Sequence, residues 1–295
     1  MHIPMKTVPI KLAATTRQRV NVDGSEVVYF DIGKGELLLL LHGYPANALC
    51  WRDQILALAK DYRVIAPDWF GFGDSERRFD TQPDYDFEVS RIGRLLDALS
   101  IEKTSLIGHD YGGYLSLGFA AHNPQRVARL GILNCRAHRT FPQPTYAQFQ
   151  TLCLLARTRV VRKLLGFVPF YSLNRLLLKP YTRDGGPMAD GMLDHYLAWM
   201  KTPHGRRWVV HFFRHYAMPE NARLKSELGK IACPTRIIWG DEDPFCPQSI
   251  AEDLAERVPS SKLVFLRGAN HFIPEEKPAE VLHEIQELMK EISTI

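Results

Sequence analysis

The sequence predicts an α/β protein: a doubly wound, mostly parallel sheet with an all-helical segment inserted after the sixth strand. Three observations predict it. Short, uniformly apolar runs such as Leu37–Leu41 recur, which is how strands buried on both faces read. Segments of helical spacing alternate with these runs, which implies parallel strands joined by helical crossovers. That alternation stops after Asn134 and resumes near Lys230. The chain therefore divides into a core domain of residues 1–135 and 231–295 and a helical cap of residues 136–230. A cap in that place stands over the C-terminal edge of the strands, where sheets of this class bind ligands.

The elements follow in order. Val20–Val22 and Glu26–Ile32 alternate around Asp23-Gly24, as a β-hairpin does. Leu37–Leu41 is a buried strand stopped by His42-Gly43. Ala48–Lys60 has helical spacing, Arg63–Ala66 is a buried strand closed by Pro67-Asp68, and Phe87–Leu99 is a helix. Thr104–Ile107, Tyr111–His122 and Val127–Leu133 read as strand, helix and strand. The cap shows only helical patterns. Thr235–Trp239, Gln248–Val258, Lys262–Leu266 and a helix from Pro278 to Ile292 then complete the alternation.

Composition narrows the function classes. With 295 residues, 45 % hydrophobic and 24 % charged, the chain has ordinary globular composition and a core that needs no staples. Its five cysteines are widely spaced, odd in number and form no Cys-x-x-Cys pair. They read as packing residues in a reducing compartment rather than a disulfide framework or zinc site. The first twenty residues carry Lys6, Lys11, Arg17 and Arg19 without an acid, but no continuous apolar run follows, so they read as a basic tail leading into the first strand, with a transit-like peptide as the alternative. The longest apolar run is far too short to span a bilayer. A soluble, cytoplasmic protein without stable membrane insertion is expected.

The net charge of +4 is unevenly placed. Between Arg136 and Met218 there are 13 Lys/Arg against 3 Asp/Glu, so the cap is strongly basic and the rest of the chain net acidic. No nucleic-acid motif accompanies this charge, and nucleic acid is not an expected partner. A small-molecule substrate, amphiphilic or anionic, is the partner a basic cap would attract; a plain solvated surface is the simpler account.

The strongest chemical signal is Leu106-Ile107-Gly108-His109-Asp110-Tyr111-Gly112-Gly113, lying between a buried strand and a helix. Small residues two positions either side of Asp110 permit the sharp turn of a nucleophile elbow. The usual serine is replaced by aspartate, and no Gly-x-Ser-x-Gly occurs in the chain. Taken singly, Asp110 is also a good helix N-cap, Asp243 a good turn residue before Pro244, and His271 one of eleven histidines.

Together with His42-Gly43-Tyr44-Pro45, Asp68-Trp69-Phe70-Gly71-Phe72-Gly73-Asp74-Ser75, Gly240-Asp241-Glu242-Asp243-Pro244 and Gly268-Ala269-Asn270-His271-Phe272, the elbow resembles the epoxide hydrolase and haloalkane dehalogenase branch of the α/β-hydrolase superfamily. These segments fall in family order across nearly the whole chain; the cap and the N-terminal tail lie outside them. The resemblance implies an α/β-hydrolase fold and a triad of Asp110 as nucleophile, His271 as base and Asp243 as the acid that orients it. Asp241 is the local competitor of Asp243, disfavoured because the family pattern is Gly-x-x-Asp. By the same resemblance the backbone N–H groups of Tyr44 and Tyr111 form an oxyanion hole. No metal or organic cofactor is implied, water being the only cosubstrate.

The leaving group divides the branch. Dehalogenases of the resembled branch place a tryptophan after the nucleophile and a second halide donor, an asparagine in the His-Gly-x-Pro loop or a cap tryptophan. Tyr111 and Tyr44 occupy the first two positions, leaving cap residues Trp199 and Trp208 as candidates. Fluoroacetate dehalogenases carry arginines where Tyr111 and Tyr114 stand. Epoxide hydrolases use cap tyrosines, because an alkoxide is far more basic than halide and needs an acid. Tyr146, Tyr171, Tyr181, Tyr196 and Tyr216 are candidates, with Tyr146 and Tyr216 favoured. Epoxide hydrolysis to a diol is thus expected, with carbon–halogen hydrolysis as the alternative. A non-catalytic small-molecule receptor is the alternative of another class. An esterase is disfavoured, since aspartate attack on an acyl group gives a labile anhydride.

Overall fold

A computed structural model describes residues 17–138, 144–182, 188, 191–216 and 221–292, with backbone alone for 144–149 and 182. Eight strands form one sheet: β1 (Gln18–Val22), β2 (Ser25–Ile32), β3 (Leu37–Leu41), β4 (Arg63–Pro67), β5 (Thr104–His109), β6 (Val127–Leu133), β7 (Thr235–Gly240) and β8 (Ser261–Leu266). Their spatial order is β1-β2-β4-β3-β5-β6-β7-β8. β1 and β2 are antiparallel to each other, β2 is antiparallel to β4, and every remaining pairing is parallel. The hairpin turns on Asp23 (φ 51°) and Gly24 (φ 79°), the two positive-φ positions that suit the twist of the flanking strands.

All five leucines of β3 are buried, as expected of a strand covered on both faces. The core helices are α1 (Arg52–Leu58), α2 (Tyr85–Ala98), α3 (Tyr111–His122), α10 (Gln248–Arg257), α11 (Ile273–Glu276) and α12 (Pro278–Met289). α1 packs on α12 and α2 on α3, so two helix pairs flank the sheet. The single helix expected from Ala48 onwards is divided. A short 3₁₀ turn over Ala48–Trp51, capped by the Asn47 side chain accepting from the Leu49 N–H at 3.0 Å, precedes α1. α2 begins at Tyr85 because the Asp84 carboxylate accepts from the Phe87 N–H, also at 3.0 Å, and so caps the first turn.

Among the described residues, the stretch between β6 and β7 contains helices only: α4 (Pro144–Arg157), α5 (Arg159–Leu165), α6 (Phe170–Leu177), α7 (Met192–Leu197), α8 (Pro203–His215) and α9 (Ala222–Glu227), with short 3₁₀ turns. No helix among the described residues is long and apolar enough to cross a membrane. All five cysteines are free thiols and buried.

Candidate active site

The site begins at the end of β5. Asp110 has φ 50° and ψ −116°, a strained backbone that no ordinary helix cap requires. The turn is held from both sides: the Asp110 N–H donates to the Leu133 carbonyl at 3.1 Å and the Gly112 N–H to the His42 carbonyl at 3.1 Å. A side chain at position 112 would bring its Cβ to 2.4 Å from the Leu41 carbonyl oxygen, so only glycine lets α3 start this close to β3.

Its surroundings are specific. The Tyr44 N–H donates to Asp110 Oδ1 at 2.8 Å, and the Tyr111 N–H also points at the carboxylate. On the other side His271 Nε2 stands 3.6 Å from Asp110 Oδ2. A quarter of the Asp110 side chain remains accessible, against 5 % for His271, so the carboxylate is the more open of the two. Burial by itself would raise the Asp110 pKa; the adjacent His271 imidazole and the Tyr111 N–H outweigh it and hold the carboxylate below its usual range.

His271 follows β8 and reaches back to Asp243, which follows β7. The His271 Nδ1–H donates to Asp243 Oδ2 at 2.8 Å. Asp243 is buried, and its second oxygen accepts from the Phe245 N–H at 2.7 Å and the Cys246 N–H at 2.9 Å. Burial disfavours a charged imidazole, yet the Asp243 carboxylate, reinforced by Asp110, pushes the His271 pKa well above its ordinary value. His109 is different: burial, followed by the neighbouring His271, drives its pKa down to about 4, so it is neutral and donates from Nε2 to the His271 carbonyl at 2.8 Å. Asp241 faces away, its Oδ1 accepting from the Gly268 N–H at 2.7 Å in the adjoining turn.

Two residues that sequence reasoning missed support this frame. Asn134, at φ 33° just past β6, donates to Asp243 Oδ2 and to the Asn270 carbonyl (3.2 Å), and accepts from the Gly240 N–H at 2.9 Å. It ties three strand-end loops together. The only sequence signal was its place directly after a buried strand. Arg136, two residues on, is buried, with its guanidinium 4.7 Å from the centre of the Tyr114 ring and 5.6 Å from that of Tyr216.

The cap tyrosines separate by position. Tyr216, at the end of α8, lies 5.5 Å from the Tyr111 ring, and its hydroxyl is hydrogen-bonded to Arg136. Burial raises its pKa strongly, and Arg136 partly offsets that rise. Tyr181 packs 5.0 Å from Phe272, beside His271. Tyr171 is committed to Asp194, its hydroxyl donating at 2.7 Å, and Tyr196 to Glu275. Tyr146 lies on α4, and its side chain is outside the described residues. The site is roofed by aromatic rings: Phe212 stacks parallel to Tyr44 at 6.2 Å and packs edge-on to Tyr111 at 5.2 Å. Trp199 meets Phe72 edge-on at 6.1 Å, and its indole N–H is buried with no hydrogen-bond partner among the described residues. Trp208 packs against Phe79 and His211, and its indole N–H is likewise buried with no hydrogen-bond partner among the described residues.

Among the described residues, one group brings three potential metal ligands within 4.8 Å: Asp243, Cys246 and His271. Their donor atoms already serve one another and backbone N–H groups, and burial pushes the Cys246 thiol up to about 11. That set suits a hydrogen-bonded relay better than a cation.

The model of the alpha/beta hydrolase family matches residues 38–284. The chain is 32 % identical over 268 residues to haloalkane dehalogenase 2 of Mycobacterium bovis, covering 88 % of this chain and 90 % of that protein. It is 27 % identical over 292 residues to a cis-3-alkyl-4-alkyloxetan-2-one decarboxylase of Shewanella oneidensis (95 % and 90 % covered). It is 28 % identical over 278 residues to a soluble epoxide hydrolase of a Corynebacterium species (90 % and 94 % covered).

Proposed function

The chain belongs to the alpha/beta hydrolase family, and from that premise we propose that it opens epoxides to diols through a covalent ester on Asp110. The observation that carries the reading is the carboxylate itself. Asp110 stands on a strained elbow, ionised, with the Tyr44 N–H on one oxygen and His271 beside the other. A carboxylate so placed is a nucleophile for saturated carbon, and the ester it forms is one that a neighbouring base can break.

In the first half-reaction an Asp110 oxygen bonds to a ring carbon and the epoxide C–O bond breaks. The alkoxide takes its proton from Tyr216, whose phenolate is stabilised by the Arg136 guanidinium hydrogen-bonded to it. Esterification removes the Asp110 charge, one of the two that hold a proton on His271, so His271 then passes that proton through water to the Tyr216 phenolate and becomes a base only once the ester exists. In the second half-reaction His271 takes a proton from water and the hydroxide adds to the ester carbonyl. The oxyanion forms where the Tyr44 and Tyr111 N–H groups converge. Collapse breaks the ester C–O bond, the departing alkoxide takes the proton held by His271, and the Asp110 carboxyl proton passes to His271, which restores the starting carboxylate, imidazolium and phenol.

A specific observation favours the second reading, carbon–halogen hydrolysis by the same triad. Trp199 offers a buried indole N–H with no partner among the described residues, a donor suited to halide. The relative at 32 % identity is named as a haloalkane dehalogenase. Tyr111 in place of an indole donor, and the Arg136–Tyr216 pair, weigh towards the alkoxide.

A single turnover with protein in excess over substrate, run in ¹⁸O-water with terminal epoxides and matching bromoalkanes, tests this. We expect diol from the epoxides, with the first heavy oxygen appearing in the Asp110 peptide. Label entering the diol directly, with none in Asp110, would exclude the ester route; bromide release without diol would transfer the function to the second reading.

A further inference from the structure

The outer surface of the cap carries a feature that hydrolysis does not use. α5 buries none of its residues. On and around it Val160 is 68 % exposed, Leu164 64 %, Phe167 82 %, Leu176 68 % and Leu154 62 %. These belong to three successive helices and one connecting turn, so they are not the isolated surface apolar groups that every protein carries. The same stretch, 150–182, contains six cations (Arg157, Arg159, Arg162, Lys163, Arg175 and Lys179) and no Asp or Glu. Large apolar side chains interleaved with cations and free of acids are the composition of a helix that lies in a membrane interface.

α6 connects this face to the site. It buries Phe170 and Asn174 inward, where the Asn174 side-chain oxygen accepts from the Tyr44 hydroxyl at 3.0 Å, and it turns Leu173, Leu176 and Leu177 outward. A second copy of the chain is a poor occupant, because a twofold contact would set the same cations against themselves. A layer of lipid phosphates complements them. We propose that this face of the cap, α4 to α6, docks on the surface of an anionic lipid bilayer. Its apolar side chains enter the headgroup–acyl boundary and its cations lie against the phosphates, which places the cap side of the site next to lipophilic substrate. This is surface docking, without a spanning segment.

The test is flotation of the full-length protein with phosphatidylglycerol–phosphatidylcholine vesicles against pure phosphatidylcholine vesicles. We expect binding to the anionic vesicles that declines as salt rises, and little to the neutral ones. Reversing Arg159, Arg162 and Lys163 to Glu should weaken that binding on the order of 100-fold or more, at about a factor of five per cation before any added repulsion. Leu164→Ser, Phe167→Ser and Leu176→Ser together should weaken it on the order of 10-fold or more with the charge intact. These side chains are exposed, and thermal melts followed by circular dichroism check that both variants fold as the wild type does.

Wild-type protein that stays off anionic vesicles overturns the proposal. So does a charge-reversed variant that binds as well as wild type, since attraction would then lie elsewhere. A solution dimer abolished by Phe167→Ser would assign the face to a second copy. The readout is binding, so its failure is separable from that of the hydrolytic reading.

Discussion

Replacing His271 with glutamine separates the two half-reactions of the proposed mechanism. Glutamine fills similar space and can still hydrogen-bond towards Asp243, but it cannot accept a proton from water. Loss of a positioned base typically costs 10²–10⁴-fold, about 3–5 kcal/mol of barrier, and here it falls on ester hydrolysis alone. The nucleophile should survive. Asp110 keeps the Tyr44 N–H at 2.8 Å and the Tyr111 N–H, backbone donors that favour its charged form. The fold should survive as well. Asp243 loses one charge-assisted hydrogen bond, worth roughly 1.5–3 kcal/mol, but retains Asn134 and the Phe245 and Cys246 N–H donors. Intact-mass spectrometry after incubation with an epoxide should then show one adduct per chain at the mass of the whole epoxide, located on Asp110. An adduct lacking halogen from a haloalkane would indicate the other leaving group. Full steady-state turnover by the variant, or no adduct from a compound the wild type hydrolyses, would refute the assignment of His271 as the base.

Tyr216→Phe should lower kcat for epoxides by roughly 100-fold or more with little change in KM, and leave halide release unaffected, because halide needs no proton; an equal loss on both substrates would count against a proton-donor role. Asp243→Ala should leave Asn134 and the imidazole without their shared partner, with a loss of roughly 10³–10⁴-fold in kcat and a lowered melting temperature; retention of more than a tenth of the activity would point to Asp241 or another acid. Gly71 sits at φ 82°, and a Cβ there would lie 2.0 Å from Trp208 Cζ2, so Gly71→Ala should cost at least about 2 kcal/mol in chemical denaturation; an unchanged midpoint would contradict the packing described. Glu275 is held buried between Arg52 and Tyr196, and burial, only partly offset by Arg52, pushes its carboxyl up to about 7. Its folded pKa thus exceeds the unfolded value, so the stability it contributes is present in acid and lost as pH rises from about 4.5 through 7. Thermal melts from pH 5 to 8 should show wild type losing stability relative to Glu275→Gln as pH increases, and parallel curves would dispose of that account.

How much of this was legible in the sequence follows from which interactions are local. Leu37–Leu41 reads as a doubly covered strand because five consecutive leucines can be buried only in the middle of a sheet, and β3 is found there. The elbow around Asp110 is legible for a similar reason. A tight turn with an exposed carboxylate requires small residues at fixed offsets, and position 112 admits nothing larger than glycine. The helical insertion is visible as a change of period between β6 and β7. What the sequence could not specify is anything set by segments far apart in the chain. Asn134 and Arg136 look unremarkable in a linear reading, yet one ties the loops after β6, β7 and β8 and the other binds the hydroxyl of a tyrosine eighty residues away. Five cap tyrosines are equivalent by composition, and packing alone commits Tyr171 to Asp194 and Tyr196 to Glu275 while leaving Tyr216 against Tyr111. The sequence by itself determined the fold class and the tight turn around Asp110, because those depend on backbone geometry and local periodicity, while the order of the acidic and histidine partners was legible only through the family resemblance. Tertiary structure alone decided that Tyr171 and Tyr196 are committed to acidic partners and which residues of the helical insertion point outward, because each of those is a choice among chemically identical side chains made by distance.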